Sequence, residues 1–160
     1  MTPQAVIEAA LANCQLVVDM YLSDLTEAET LHRPGAGLNH IRWQMGHLVG
    51  AEREMIEKIA PGSMPALPEG FASKYTKVTS VSDSADDFHS FAELKQLAQQ
   101  QRAATLAALK GFPTERLTDE TGVPYAARVV DMFLLQGTHW LMHAGQWAVI
   151  RRQLGRPPMF

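Results

Sequence analysis

The stretch VVDMFLLQGTHWLMHAGQWAVI, residues 129–150, decides how the chain folds. It is apolar almost all the way round a helix, so it belongs at the centre of a helical assembly. Asp131, Gln136, His139, His143 and Gln146 interrupt it, too many polar groups for a lipid-facing span. Gln136, His139, His143 and Gln146 recur at three, four and three spacing, a polar stripe through an apolar helix. Residues four apart on a helix differ by about 40° in direction and about 6 Å in height, so His139 and His143 can point at one ion.

A matching stripe, His40, Gln44 and His47, lies in a second helical run upstream. Two such stripes imply a shared polar interior. Burying these groups without partners costs on the order of 1 to 3 kcal/mol each, so they must satisfy one another or bind water or an ion. The ion reading takes His47, His139 and His143 as ligands, three neutral imidazoles that leave one to three positions for water or substrate, as in a catalytic rather than a closed structural site. The competing reading has the histidines satisfied by hydrogen bonds alone. His40 lies about 10 Å along the axis from His47, too far to share the ion, and serves the helix start or lines the pocket. Gln44, Gln136, Trp140 and Gln146 line the pocket or support the ligands from behind. Imidazole suits zinc, nickel, copper or iron. Zinc or nickel heads the expectation, with iron or manganese next. No cysteine accompanies the histidines, which excludes a zinc ribbon or iron–sulfur centre.

Thr2-Pro3 is a cap followed by a proline at the first helical position, and Ile7, Leu11, Cys14, Val18, Tyr21 and Leu25 then mark one face of a first helix reaching about Asp24. After a proline–glycine loop at 31–37, Asn39 can cap a second helix that runs to about Ala60, where Pro61-Gly62 stops it. Residues 61–89 form an irregular connection, long for one domain: disordered, a lid, or a crossover. Ser90 and Glu93 make a capping box for a third helix ending at Gly111. One helical turn at Thr114–Leu117 leads to a fourth helix, about Tyr125 to Leu154, with Gly155 as its stop. The expectation is an all-α fold, a four-helix bundle with a long crossover between helices 2 and 3, in a single domain spanning 1–160.

A chain of 160 residues with a net charge of −3 lacks the basic stripe of a nucleic-acid binder. The dense basic spot, Arg151, Arg152 and Arg156, is read as complementing the end of the last helix. One cysteine, Cys14, excludes a disulfide framework and reads as core. With no visible signal peptide, the expectation is a cytoplasmic protein without a membrane or nucleic-acid partner. Glu52 and Glu54 read as surface charges, with a general-base role as the alternative. His32 and His89 fall in loops and read as solvent-facing.

At Asn39-His40-Ile41-Arg42-Trp43-Gln44-Met45-Gly46-His47-Leu48 and at His139-Trp140-Leu141-Met142-His143-Ala144-Gly145-Gln146, with Arg151 and Gly155-Arg156-Pro157 behind, the chain resembles the DinB/YfiT-like superfamily. Asp24-Leu25-Thr26 through Arg33-Pro34 matches the family's acidic turn followed by Arg-Pro. The resemblance covers the order of helices along the whole chain. It implies a four-helix bundle holding a divalent metal through His47, His139 and His143, and often a homodimer. It also implies a small-molecule substrate, with thiol-dependent transferases and isomerases using low-molecular-weight thiols among its members. Ala144 departs from the family, where many relatives carry arginine or another polar residue, so no substrate contact is carried over to it. Two functions follow: a metal-dependent S-transferase, isomerase or hydrolase, or a non-catalytic bundle that binds a metal or small ligand.

Overall fold

Helix ends in this chain are set by side chains that satisfy the free backbone groups. In the computed structural model, which describes residues 1–159, these signals delimit α1 (Pro3–Leu22), α2 (Ile41–Ile59), α3 (Phe91–Gly111) and α4 (Val129–Gln153). Thr2 caps α1 by accepting the Ala5 N–H at 3.2 Å, and Ser90 with Glu93 forms the expected reciprocal box at α3. Gly155, at φ 75°, ends α4 in a Schellman turn: the Arg156 N–H reaches the Arg151 carbonyl at 2.9 Å and the Gly155 N–H reaches that of Arg152 at 3.1 Å.

Three boundaries differ from the sequence reading. α1 stops at Leu22 rather than Asp24, because Ser23 turns its hydroxyl onto the Met20 carbonyl and Asp24 pairs elsewhere. The cap of α2 is His40, not Asn39: its Nδ1 accepts the Trp43 N–H at 3.0 Å. α4 starts at Val129 rather than Tyr125, since Thr121 and Val129 donate to the Ala127 and Asp119 carbonyls and hold 119–129 as a loop. The Asp131 carboxylate then accepts the Arg128 N–H at 2.9 Å.

The four helices form an all-α four-helix bundle in which α4 packs against α1 and α2, and α2 against α3. Among the described residues no strand forms beyond one bridge, Glu120 to Arg128. The apolar core falls into two clusters. One gathers Val18, Leu48, Val49, Leu94, Trp140 and Trp147; the other gathers Ile7, Leu11, Ile56, Leu109 and Phe133. Between them every helix but α1 contributes buried polar groups: Glu52, Gln101, Arg102, Thr105 and Gln136. This corrects the reading of Glu52 as a surface charge, for it is 1 % exposed. α1 is long and apolar enough, by length and composition, to cross a bilayer; in the fold Ile7, Leu11, Val18 and Leu22 are buried while Val6 and Leu16 are exposed. Cys14 is half-buried, with its sulfur where a side chain on Gly137 of α4 would sit.

The 61–89 connection is a packed crossover. Three 3-10 turns, Phe71–Tyr75, Thr79–Val81 and Ala85–Asp87, break it up, and Phe71, Tyr75 and Phe88 anchor it in the core. Tyr75 lies so close to α2 that a Cβ on Gly46 would fall 2.0 Å from its ring. Arg33 fastens the far side, donating to the Ser80 and Ser82 carbonyls at 2.8 and 2.7 Å. The basic C-terminus places Arg151 and Arg152 in the last turn of α4, where they complement the helix end, and it is structural besides: buried Arg151 pairs with Asp24, and Arg156 with Asp24 and Glu29. Glu29's carboxyl is held down at about 2, first by its hydrogen bond to Arg156.

Candidate metal centre

α2 and α4 bring His47, His139 and His143 together, with one ring nitrogen of each lying within 4.8 Å of the other two. Ring centroids are 5.2 to 5.7 Å apart. His143 is buried and the other two are half-buried, so the cluster sits at the edge of the core within reach of the surface. Trp43, one turn before His47, stacks its ring parallel to the imidazole at 5.4 Å and donates its indole N–H to the Thr76 carbonyl of the crossover.

Burial lowers the pKa of all three rings. For His143 it is the first cause, with the neighbouring His139 and His47 adding to it, and the value falls to about 4. His47 is lowered by burial, and His139 by burial and then by His47, with Glu52 opposing. Near neutral pH the cluster therefore offers lone pairs rather than protons, the form a metal requires.

The tautomer of His143 follows from its neighbours. The Trp147 indole N–H can only donate, and it points at Gln44 Oε1 at 2.9 Å, which fixes that atom as the oxygen. Gln44 Nε2 accordingly donates to the Asn39 carbonyl at 2.6 Å. His143 Nδ1 stands 2.8 Å from the same oxygen and must be the donor. Its Nε2 is left as the free lone pair. Gln44 thus does for His143 what a backing carbonyl or carboxylate does for metal-bound histidines, setting ring angle and basicity. Gln44→Leu is expected to weaken zinc or cobalt affinity by about 10- to 100-fold while the helical circular dichroism persists. A chelator-competition titration reads this; unchanged affinity would refute the role.

The other anticipated residues go elsewhere. Gln136, 1 % exposed, turns its amide onto the Met132 carbonyl at 2.8 Å and the Met55 sulfur at 3.5 Å. Trp140 donates its indole N–H to Glu52 at 3.0 Å and lines a groove on the α1–α3 side. Gln146 is exposed. His32 and His89 are half-buried, not solvent-facing; His89 Nδ1 pairs with the Tyr75 hydroxyl at 3.0 Å.

His40 is fully buried, caps α2 through Nδ1 and meets the Ser82 carbonyl through Nε2 at 3.2 Å. Burial first, then the nearby Arg33, pushes its pKa down to about 4. Above pH 6.5 the ring is neutral folded or unfolded, and this contribution to stability is complete. Between pH 6.5 and about 4 the unfolded chain takes up a proton that the folded chain refuses, so stability falls by up to about 3 kcal/mol. Urea denaturation of wild type and His40→Asn, which keeps a capping oxygen, should show wild type losing stability relative to the variant over that window. A constant difference would contradict the assignment.

A lining residue that sequence reasoning left as a loop position is Tyr75. With Gly46, Gly50, Ala51, Glu54, Phe71 and Ala72 it bounds a cavity of about 240 Å³ that opens on His47. The signal for it was the aromatic pair Phe71 and Tyr75, four apart in a segment with no sustained apolar repeat.

No curated protein matches the chain. Residues 10–147 match the family model described as the DinB superfamily, a span that includes α2, α3, the crossover and all three clustered histidines. The match spans more than four-fifths of the chain: the chain belongs to the DinB superfamily.

Proposed function

We propose that the chain is a divalent-metal-dependent enzyme acting on a small molecule, with His47, His139 and His143 as the metal ligands and transfer to or from a low-molecular-weight thiol as the favoured chemistry. The observation that carries this reading is the cluster itself: three histidines from two helices, held neutral by burial, within 4.8 Å of one another at the edge of the core. The donor set fits zinc or nickel first. A divalent ion in such a site supplies Lewis acidity and lowers the pKa of a water or thiol bound to it. The chain's own share is positional. Gln44 and Trp147 hold the His143 ring, Trp43 packs against His47, and Phe71 and Tyr75 wall the cavity beside it against bulk water.

Three protein donors leave room for an exogenous ligand, which separates an enzyme from a bundle with a closed or vestigial site. Protein purified without an affinity tag and loaded with cobalt(II) is expected to show a visible spectrum that shifts when azide or a small thiol is added. A cobalt spectrum indifferent to every added ligand would favour the non-catalytic bundle and sink the enzymatic reading.

A further inference from the structure

The cavity beside His47 has two unlike ends. Along α2 its wall is almost bare backbone, Gly46, Gly50 and Ala51, and the facing wall is Phe71, Ala72 and Tyr75. Tyr75 has no hydroxyl to spare for a ligand: the oxygen accepts the His89 N–H at 3.1 Å and pairs with the His89 ring at 3.0 Å. Gly50 is open enough that a Cβ there would only touch Phe71, at 3.7 Å. The result is an aromatic-sided slot of about 240 Å³ along α2 between His47 and Glu54. Seven helical residues separate those two, about 10 Å along the axis.

Glu54 is the charged residue lining the slot, and among the described residues it makes no hydrogen bond or ion pair. Of the nearby cations, Arg53 donates to the Pro65 carbonyl at 3.1 Å and Lys74 to that of Asp87 at 3.1 Å, while Lys58, exposed one turn further along α2, makes no ion pair with Glu54. Glu57, one turn on, is turned away onto the Gly62 and Met64 amides. An aromatic-sided slot whose far end carries an exposed carboxylate with no ion pair selects an extended ligand with a cation at that end.

Resting on the metal reading above, the geometry points to this slot as the seat of a substrate arm that ends in an ammonium or guanidinium group, held by Glu54 while the reacting end lies at His47. Glu54 is then a specificity residue, too far along the helix to serve as the base. The aromatic wall sets the arm's thickness and the His47–Glu54 spacing sets its length.

Three thiols of one length test it on the cobalt-loaded protein at low ionic strength, where charge contacts are least screened: 6-aminohexanethiol, 6-mercaptohexanol and 6-mercaptohexanoate, titrated by the thiolate-to-cobalt absorption band. The amine should bind about tenfold more tightly than the carboxylate, the sum of a weak attraction and a weak repulsion at an open carboxylate. In Glu54→Gln that ratio should collapse to within about threefold, while cysteamine, too short to reach Glu54, binds both proteins alike. Ala51→Leu, which fills the slot, should weaken all three long thiols and spare cysteamine. Equal binding of the three long thiols, or a ratio that survives Glu54→Gln, overturns this inference and leaves the metal reading standing. Absence of a thiolate band with any thiol overturns it as well, and a cobalt spectrum that also ignores azide removes both readings.

Discussion

Alanine at His47, His139 or His143 is expected to abolish stoichiometric metal in each case, measured by elemental analysis of untagged protein after dialysis. Structural zinc sites gain about 10 to 16 kcal/mol from four ligands, so one imidazole of three accounts for several kcal/mol and its loss lowers affinity at least about a hundredfold. The three variants should behave alike in metal content, because one ring nitrogen of each lies within 4.8 Å of the other two and each supplies one of the three donors. Each should also lose the stabilisation that added metal gives wild type, since a ligand that binds only the folded state raises stability in proportion to its occupancy. Folding itself should survive. None of the three belongs to either apolar cluster; His47→Ala removes only the ring stacked on Trp43, and His143→Ala leaves Gln44 Oε1 paired with the Trp147 N–H. Full metal retention in all three variants would end the assignment.

The histidines were legible because an apolar helix has no structural use for two imidazoles on one face, and a one-face pattern survives any detail of packing. Gln146 shows where that reasoning fails. It points within about 20° of His139 but lies seven residues, about 10 Å, further along α4, and that rise carries it past the level of the histidines to the surface. Glu52 failed for a different reason. It sits in Glu52-Arg53-Glu54, which looks like a solvated charge run, and its partner Arg102 lies fifty residues on in another helix. The available signal was register: Leu48, Val49, Glu52 and Ile56 form one buried face of α2, and a carboxylate on that face needs a partner. The crossover was opaque because its anchors, Phe71, Tyr75 and Phe88, are too few to set a sustained period: one pair lies four apart and the third follows thirteen residues later. Only their burial in the fold shows that the segment shapes the site.

Arg102→Met is expected to cost about 3 to 5 kcal/mol, the penalty for stranding a buried charge, and to lower the melting temperature by roughly 10 to 15 °C in a chain of this size. The geometry makes the pair unusually dependent on both partners. Arg102 grips Glu52 through two nitrogens at 2.8 and 3.0 Å and also donates to the Gln136 carbonyl at 2.8 Å. Glu52 further accepts the Thr105 hydroxyl at 2.8 Å and the Trp140 indole N–H at 3.0 Å. The network therefore ties α2, α3 and α4 together at the level where the core divides in two, and no water-facing route is open to a carboxylate that is 1 % exposed. Glu52→Leu alone should also destabilise, since it leaves the guanidinium, Thr105 and Trp140 short of an acceptor. The double variant Glu52→Leu/Arg102→Met removes both charges and should recover much of the loss, with a coupling of at least about 2 kcal/mol in thermal or urea denaturation. It should not recover all of it, because Thr105, the Trp140 N–H and the Gln136 carbonyl remain to be satisfied. Additive single and double variants would mean that the two charges are not paired in solution. The double variant should still bind metal, since neither residue touches His143 or Gln44; that separates a layer which aligns the helices from the site which those helices carry.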